Sequence, residues 1–241
     1  MLNRINRVFF TLCFSLLLVG YAICTNSDLA ELVKNDLQEY NDYIAKNTGT
    51  NNKQYRETKA KERLADWKRA AEAGIPEGQV LFSVCHYYGL GVPENKEESS
   101  KWVHKAAEQG NAEAQWRLGM CFLKGEGVQK DEAEGVKWFR KAAKQENAKA
   151  QGFLSTCYFG GIGVPANNDE AIKWLHKSAE RGNATAQLAL GSHYFDGVGV
   201  SENKEEAIVW FRKAAEQGDD IAQYLLGECY LHGTEIDCDW A

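Results

Sequence analysis

Apolar residues along most of the chain recur with helical spacing, in short segments separated by polar or glycine-rich connections. In one segment Ala114, Leu118 and Cys121 fall on a single face, as the helical period of ~3.6 residues requires. A glycine-containing break at 125–128 follows, and a second amphipathic segment begins near Asp131. No run alternates with the period of a strand, so the pattern predicts pairs of helices joined by short turns.

The helix pairs are copies of one unit, because the same residues return every 36 positions without insertion or deletion. The recurring tryptophans are Trp102, Trp138, Trp174 and Trp210. The recurring glutamines are Gln79, Gln115, Gln151, Gln187 and Gln223. One helix pair cannot bury its apolar face alone, whereas stacked pairs can, so the repetition predicts an α-solenoid.

Glycine and Asn or Asp mark the ends of the predicted helices. Gly125 follows the last turn of the first helix in its unit, where glycine adopts a left-handed backbone without steric penalty. Its counterparts are Gly89, Gly161, Gly197 and Gly233. The second helix opens with Asn or Asp and with Glu three residues later, at Asn95/Glu98, Asp131/Glu134, Asn167/Glu170 and Asn203/Glu206. This spacing predicts capping boxes, in which the Glu side chain bonds back to the amide of the cap residue.

One unit carries a motif that is shared with a family of repeat proteins. Its parts are Asn111-Ala112-Glu113-Ala114-Gln115, Leu118-Gly119, Gly125-x-Gly127-Val128 and Trp138-Phe139-x-Lys141-Ala142-Ala143. The chain resembles the Sel1-like repeat family, which is itself similar to the tetratricopeptide repeat, over about residues 65–236. The resemblance implies an all-α fold: a right-handed α-solenoid of stacked antiparallel helix pairs with a 36-residue repeat. In the last copy Glu235 replaces the second loop glycine.

These patterns divide the chain into four parts. Residues 1–24 are predicted to be a signal peptide, and residues 25–60 an N-terminal helical arm or cap with a loop at 47–52. The repeat array covers 61–236, begins with half a repeat, and is followed by a C-terminal tail at 237–241. The repeats are expected at about 75–110, 111–146, 147–182 and 183–218, with a partial copy at 219–236.

The N-terminal segment has the composition of a secretory signal. Arg4 and Arg7 precede an uncharged run at 8–24 that has an apolar centre and small residues near its end. Cleavage after Ala22 or after Cys24 fits this pattern, and an uncleaved signal anchor is the alternative. Export would place the protein in the periplasm or outside the cell, with no membrane span after cleavage.

Charge and motifs argue against nucleic-acid binding and against catalysis. The formal charge is −6 and no basic block occurs, so a nucleic-acid partner is not expected. The Gly-x-Gly turns join helix to helix and lack the preceding strand of a nucleotide-binding fingerprint. Ser201-x-x-Lys204 matches a nucleophile motif, but it lies at the start of a second helix, where capping explains it. The protein is therefore expected not to be an enzyme, with no cofactor and no metal.

Cysteine occupies one helix position in successive units, at Cys85, Cys121 and Cys157. Packed helices lie ~8–10 Å apart, whereas the Cα atoms of a disulfide need ~4.4–6.8 Å. These three cysteines are therefore predicted to be buried and unbridged. Cys229 and Cys238 span the end of the last helix and form a possible disulfide.

Two alternatives concern this cysteine chemistry. One alternative is a zinc site, with the last two cysteines, His232 and a fourth residue as ligands. The other comes from the family, whose cysteine-rich secreted branch has two bridged cysteines per repeat and a described penicillin-binding activity. This chain has one cysteine per repeat, so a β-lactam hydrolase is only a further alternative.

A repeat solenoid offers a concave surface on which side chains vary while the frame repeats. By resemblance to the tetratricopeptide arrangement, the first helix of each pair lines this groove. The predicted function is that of a monomeric scaffold or adaptor in the cell envelope, which binds a protein partner in the groove. The alternative is a periplasmic immunity protein that inhibits a secreted toxin. The predicted partner-binding residues are Val80, Tyr87, Tyr88, Trp116, Met120, Leu123, Lys124, Phe159, Leu188, Phe195, Asp196, Tyr224 and Glu228.

Trp116 is the most informative of these residues. The equivalent positions hold Val80, Gly152, Leu188 and Tyr224, so the repeat frame does not require a tryptophan there. Large aromatic side chains at such tolerant positions often dominate the energy of a protein interface. For some other aromatics, Phe159 and Phe195 above all, packing in the core is the alternative role.

Overall fold

The computed structural model describes residues 25–46 and 50–231, which form eleven helices and no strand. The helices are α1 (Asn26–Lys46), α2 (Thr50–Glu72), α3 (Pro76–Tyr88), α4 (Lys96–Glu108), α5 (Ala112–Lys124), α6 (Glu132–Lys144), α7 (Ala148–Gly160), α8 (Asn168–Glu180), α9 (Ala184–Asp196), α10 (Lys204–Glu216) and α11 (Asp220–Leu231). The predicted signal peptide and tail, together with His232, Gly233 and Cys238, lie outside the described residues.

From α3 onward the chain repeats one helix pair. We term α3, α5, α7, α9 and α11 the first helices, and α4, α6, α8 and α10 the second helices. Each helix of the array packs on the helix before it and on the helix after it, and the first helices α3 and α5 also contact each other. The predicted all-α solenoid of stacked helix pairs is confirmed.

The N-terminal helices differ from the sequence expectation at their junction. α2 begins at Thr50 and runs without a break to Glu72, so residues 50–52 of the expected loop are helical. The helix also crosses the expected boundary between residues 60 and 61, and the expected half repeat is its last part. Most residues of α2 are Lys, Arg, Glu, Gln and Ala, which are strong helix formers and extend the helix toward its N-terminus.

α1 packs against α2 and α3 through one apolar face. The side chains that face inward on it are Leu29, Val33, Leu37 and Tyr40, none of which is more than 6% exposed. Asp36 is buried in the same interface, where its carboxylate accepts a hydrogen bond of 2.8 Å from Nε1 of Trp67 on α2. These contacts fix α1 to the start of the repeat array.

The second helices begin with the predicted side-chain cap, but the reciprocal half of the capping box is absent. Oδ1 of Asn95 accepts from the amide of Glu98 at 2.9 Å. The amide of Asn95 donates to the carbonyl of His86 at 2.8 Å, so Glu98 has no cap amide to accept from and pairs with Lys101 instead. The expectation that the Glu side chain bonds back to the cap is therefore wrong. The equivalent caps are Asp131, Asn167 and Asn203.

Glycines end the first helices and set the distance between helices. The predicted left-handed caps are confirmed at Gly89, Gly125, Gly161 and Gly197, with φ between 65° and 70°. At Gly119 the glycine is needed for packing, since an added Cβ would lie 2.6 Å from the ring of Phe139. Phe139 is fully buried, so α5 and α6 approach closely only because residue 119 has no side chain.

Glutamine pairs link successive repeats. Nε2 of Gln115 donates to the carbonyl of Ala107 at 3.2 Å, and Nε2 of Gln145 donates to Oε1 of Gln115 at 2.8 Å. In the next unit Arg181 occupies the position of Gln145, and the buried Oε1 of Gln151 has no hydrogen-bond partner among the described residues. The other glutamine pairs are Gln79 with Gln109 and Gln187 with Gln217.

The stacked cysteines are buried, as predicted, and Cys85, Cys121 and Cys157 are unbridged within the part of the chain that the structure describes. Burial raises the pKa of Cys85 to about 12 and those of Cys121 and Cys157 to about 11. The thiolate form is thus disfavoured at these sites. Cys229 is buried too, and its possible disulfide with Cys238 lies outside the described residues.

Candidate functional site

Five of the predicted partner-binding residues line one cavity between α3 and α5. The cavity has a volume of about 170 Å³. Val84 and Val103 add apolar wall, and Arg117 adds a positive charge. The five predicted residues in its lining are Tyr87, Tyr88, Trp116, Met120 and Lys124.

Tyr87 is held in the cavity wall by a residue of the next loop. Its hydroxyl donates to Oε2 of Glu126 at 2.8 Å. Nζ of Lys96 lies 3.6 Å from Oε1 of Glu126 and 5.3 Å from the centre of the Tyr87 ring. Burial, and then the bond to Glu126, raise the pKa of Tyr87, so its hydroxyl stays protonated and remains a donor.

Tyr88 lies at the exposed side of the cavity and is covered by a cation from α2. It is 43% exposed, and the guanidinium carbon of Arg56 lies 4.1 Å from the centre of its ring. Nε of Arg56 also donates to the hydroxyl of Tyr40 on α1 at 3.3 Å. A side chain of α2 therefore covers Tyr88 in the cavity wall, and a tyrosine of α1 holds that side chain in position.

Trp116 is a half-buried wall of the cavity with a cation next to its ring. Nζ of Lys149 lies 4.9 Å from the ring centre, and the ring of Phe153 lies 6.2 Å away. The indole N–H is buried and has no hydrogen-bond partner among the described residues. Most of this side chain therefore offers apolar surface and a cation–π contact.

A charged cluster beside Trp116 was missed by the sequence analysis. The guanidinium of Arg117 lies 2.9 Å from Oε1 of Glu113, and Nζ of Lys149 lies 3.6 Å from the same oxygen. The side chains of Arg117 and Glu113 are only 20% and 11% exposed. Burial lowers the pKa of Lys149. Both cations pair with the carboxylate of Glu113. The cluster thus adds a net positive charge to a largely buried part of the cavity wall.

The register of the repeats contains a signal for this cluster. The equivalents of Arg117 are apolar in every other copy, at Leu81, Phe153, Ala189 and Leu225. A charge at a position that is otherwise apolar indicates a specific partner, because an unpaired buried charge is costly. The partner is Glu113, one helical turn earlier.

Val80 does not face a possible partner, which corrects one sequence-based expectation. It is fully buried, and Val84 on the next turn is 2% exposed. Both belong to the apolar cluster that contains the inward face of α1. At the position of Val80, Trp116 and Leu188 are half-buried and Tyr224 is 64% exposed. α1 therefore covers the surface of the first helices in the first unit, its last turns reach Arg117 and Lys149, and the surface is open further along the array.

The other predicted residues are spread along the later first helices. Phe159 stacks on His193, with ring centres 4.8 Å apart and planes 9° apart. Phe195 lies 6.4 Å from Phe211 and packs on the last apolar cluster. Leu123, Leu188 and Glu228 are half-buried, whereas Asp196 and Tyr224 are exposed.

A wider depression of about 800 Å³ lies at the start of α4 and contains none of the predicted residues. Its walls are mostly polar, and Ser100 there donates to the carbonyl of Gly127 at 2.8 Å, which joins two repeats. Within 25–46 and 50–231 no helix is long and apolar enough to cross a membrane. In the same ranges no group of three or more His, Cys, Asp or Glu side chains is placed to hold a metal ion.

The fold is that of a helical repeat solenoid, and comparison with known families identifies the kind of repeat. The model of the Sel1 repeat matches residues 76–111, 112–147, 148–183, 184–219 and 220–238. The chain therefore belongs to the Sel1 repeat family, as its motifs predict. The matched units begin one residue later than the repeats expected from the sequence.

Solved structures of Sel1 repeat proteins are similar to the chain. One is c5321, a protective antigen present in uropathogenic Escherichia coli strains, with 36% identity and a TM-score of 0.65 over 70% of this chain and 36% of that chain. Another is a Sel1 repeat protein from Oxalobacter formigenes, with 32% identity and a TM-score of 0.68 over 70% of this chain and 50% of that one. The chain thus matches about a third and a half of the lengths of these relatives. No curated protein matches the chain.

Proposed function

We propose that the protein is a non-catalytic scaffold that binds a protein partner on the open surface of its first helices. The observation that carries this proposal is the cavity between α3 and α5, where five residues that vary among the repeats meet. Sel1 repeats generally mediate contacts between proteins, and their scaffold is typically non-catalytic. The partner surface proposed here includes the cavity and continues along α7, α9 and α11.

The distribution of variable residues supports this surface. The frame residues that recur are buried, such as Phe139 and Phe211 beside their facing glycines. The residues at the position of Trp116 change from copy to copy. From α5 onward each of them is half-buried or exposed, and none is fully buried. A rigid frame with variable, partly exposed aromatics supplies the large anchor side chains that hot spots need, at a low entropic cost.

Site-specific photo-crosslinking tests the proposal. A photoreactive amino acid would replace Tyr88 or Tyr224 on the first helices, or Val209 on the second helix α10 as a control. The three residues are 43%, 64% and 42% exposed, so the control residue Val209 is as accessible as Tyr88. We expect Tyr88 and Tyr224 to crosslink the same protein in cells and Val209 not to. Crosslinks from Val209 alone would overturn the assignment.

We also propose that the protein works outside the cytoplasm, because residues 1–24 have the pattern of a secretory signal. A fusion of residues 1–24 to a phosphatase that is active only after export measures this directly. We expect activity from the fusion and none after Leu16 and Leu17 are both changed to Arg, which breaks the apolar core of the signal. An inactive wild-type fusion would contradict export.

A further inference from the structure

We propose that the cavity between α3 and α5 receives one phenyl-sized side chain from an acidic segment of the partner. The proposal builds on the proposed function, since it states the chemistry that the same surface recognises. It makes two separable claims. One concerns the size and polarity of the cavity, and the other concerns the charges around it.

The size of the cavity fits one aromatic ring. Its volume of about 170 Å³ is close to the ~150 Å³ of an engineered apolar cavity that binds benzene. The walls supply ring and aliphatic surface from Tyr87, Trp116, Met120 and Val84. The hydroxyl of Ser83, a polar group in the lining, already donates to a main-chain carbonyl at 2.6 Å. An apolar guest therefore leaves this hydroxyl satisfied.

The charges around the cavity favour an acidic guest, although the whole chain carries a formal charge of −6. Five cations lie on or beside its aromatic walls: Arg56, Lys96, Arg117, Lys124 and Lys149. The carboxylates that face them are Glu113, Glu126 and, on α1, Asp42. The first two carboxylates are already engaged by cations of this group, so a positive excess remains.

Two of these cations are available to a partner. Lys124 is exposed in the last turn of α5 and pairs with no carboxylate of the described residues. Arg56 lies over the ring of Tyr88, donates to the hydroxyl of Tyr40, and forms no ion pair with a carboxylate of the described residues. A carboxylate on each side of the inserted ring would meet these cations.

α1 provides an internal example of this recognition. It carries five carboxylates against two lysines, although two of the carboxylates pair with side chains of α2, and it docks on the same surface one unit earlier. Its Tyr40 is 4% exposed with the Arg117 guanidinium 5.8 Å from its ring centre, and Asp42 acts electrostatically on Lys149. An acidic segment with an aromatic anchor thus already binds at the edge of the cavity. The proposed partner segment would continue this interface.

Binding of synthetic peptides to the whole protein tests the inference. The probe is a short fluorescein-labelled peptide with one Phe flanked by Glu on both sides, titrated by fluorescence anisotropy at low salt. Two controls of equal length replace the Phe with Ala or the Glu residues with Lys. We expect the acidic Phe peptide to bind at least ~10-fold more tightly than either control, and the advantage over the Lys peptide to shrink at high salt.

Matched variants locate the binding to the cavity. Met120→Trp fills the cavity, and Thr156→Trp places the same ring at the equivalent position one repeat later, which is exposed. Lys124→Glu reverses a charge in the last turn of α5, and Lys144→Glu does so in the last turn of α6. We expect Met120→Trp and Lys124→Glu each to weaken the acidic Phe peptide at least ~5-fold, and the two controls to change it less than ~2-fold.

The outcomes separate this inference from the proposed function. Equal binding of the three peptides, no binding of any, or equal effects of Met120→Trp and Thr156→Trp would overturn the cavity as an aromatic receptor. Lys124 is on the surface, so Lys124→Glu still tests the charge claim if Met120→Trp fails to fold in a melting experiment. The crosslinks from Tyr88 and Tyr224 decide the proposed function independently of the peptides.

Discussion

Glu146 has a left-handed backbone at a joint where every other described unit has glycine. Its φ is 64°, and it is the one non-glycine residue with positive φ in the described chain. The equivalent glycines are Gly74, Gly110, Gly182 and Gly218, with φ between 82° and 90°. A left-handed backbone costs a residue with a Cβ roughly 1–2 kcal/mol. The ion pair of Glu146 with Arg181 is exposed and recovers only part of this cost.

We predict that Glu146→Gly raises the free energy of unfolding by about 0.5–1 kcal/mol, because relief of backbone strain outweighs the lost surface ion pair. Urea denaturation followed by circular dichroism measures the change. The matched control is Gly110→Glu, where an added Cβ has nothing within 4 Å, so the backbone alone is tested. It should lower the free energy of unfolding by about 1 kcal/mol. A loss of stability in Glu146→Gly would contradict the strain argument.

Arg181 breaks the series of glutamine pairs, and we predict that Arg181→Gln restores it. The new amide would donate to the buried Oε1 of Gln151, as Gln145 does to Gln115 one repeat earlier. We expect the free energy of unfolding to rise by about 1 kcal/mol, the usual net value of satisfying a buried acceptor. Arg181→Ala loses the same ion pair but has no donor. If Gln and Ala give the same urea midpoint, the glutamine pair contributes nothing.

At the scale of the helix, tryptophans on the two helix types have different environments. Trp138 on α6 is 7% exposed, and Nζ of Lys141 lies 3.5 Å from its ring centre. The same Trp–Lys pair recurs on the second helices, at Trp102/Lys105, Trp174/Lys177 and Trp210/Lys213. In each pair the lysine ammonium lies over the tryptophan ring in a cation–π contact. Trp116 on α5 is less buried and borders the cavity.

We predict that Trp138→Ala destabilises the protein by about 3–5 kcal/mol, the range for truncating a buried large aromatic. Trp116→Ala should cost less, because the side chain is only half-buried. It should instead weaken binding of the crosslinked partner by roughly 2 kcal/mol or more, as hot-spot residues do. Thermal melting and partner retention, measured on both variants, give the comparison. Equal destabilisation, or normal binding by Trp116→Ala, would remove Trp116 from the partner surface.

The sequence predicts features that depend on a few neighbouring residues, and it fails where a contact joins segments whose relative placement the spacing does not give. The glycine caps and the Asn or Asp caps depend on a few neighbouring residues, so local chemistry is sufficient for them. The cover over Val80 comes from α1, a helix outside the register whose docking site no spacing reveals. The amide of Asn95 is taken by a carbonyl of the preceding helix, a tertiary contact that a local capping pattern does not contain.

The candidate site was predictable to a similar extent. Register with the family frame placed Tyr87, Trp116 and Met120 on first helices, and in the structure they line one cavity. The contribution of Arg56 was not predictable, because residues 50–52 read as a loop and the direction of α2 was unknown. The sequence identifies equivalent residues within the repeat array, but it does not show where the non-repeated helices α1 and α2 pack against that array.

At the scale of the molecule, the two ends of the described array are protected differently. α1 and α2 both pack on α3, so the helix that carries Cys85 has two neighbours outside the repeat array, and Cys85 is fully buried. At the other end α11 leaves Ile221 and Tyr224 61% and 64% exposed. In a solenoid each unit is stabilised mainly by its neighbours, so opening starts at the less protected end and spreads inward. The stacked cysteines report this gradient, since they occupy the same position in successive units.

We predict that thiol labelling below the urea midpoint modifies Cys157 first, Cys121 next and Cys85 last. Burial raises the pKa of all three thiols, so labelling requires opening of the unit that contains them. Mass spectrometry of labelled peptides measures the three rates, and labelling in full denaturant corrects for intrinsic reactivity. Leu37→Ala, which weakens the docking of α1, should accelerate Cys85 at least ~10-fold and change Cys157 much less. Equal rates at the three sites would show instead that the array opens as a single cooperative unit.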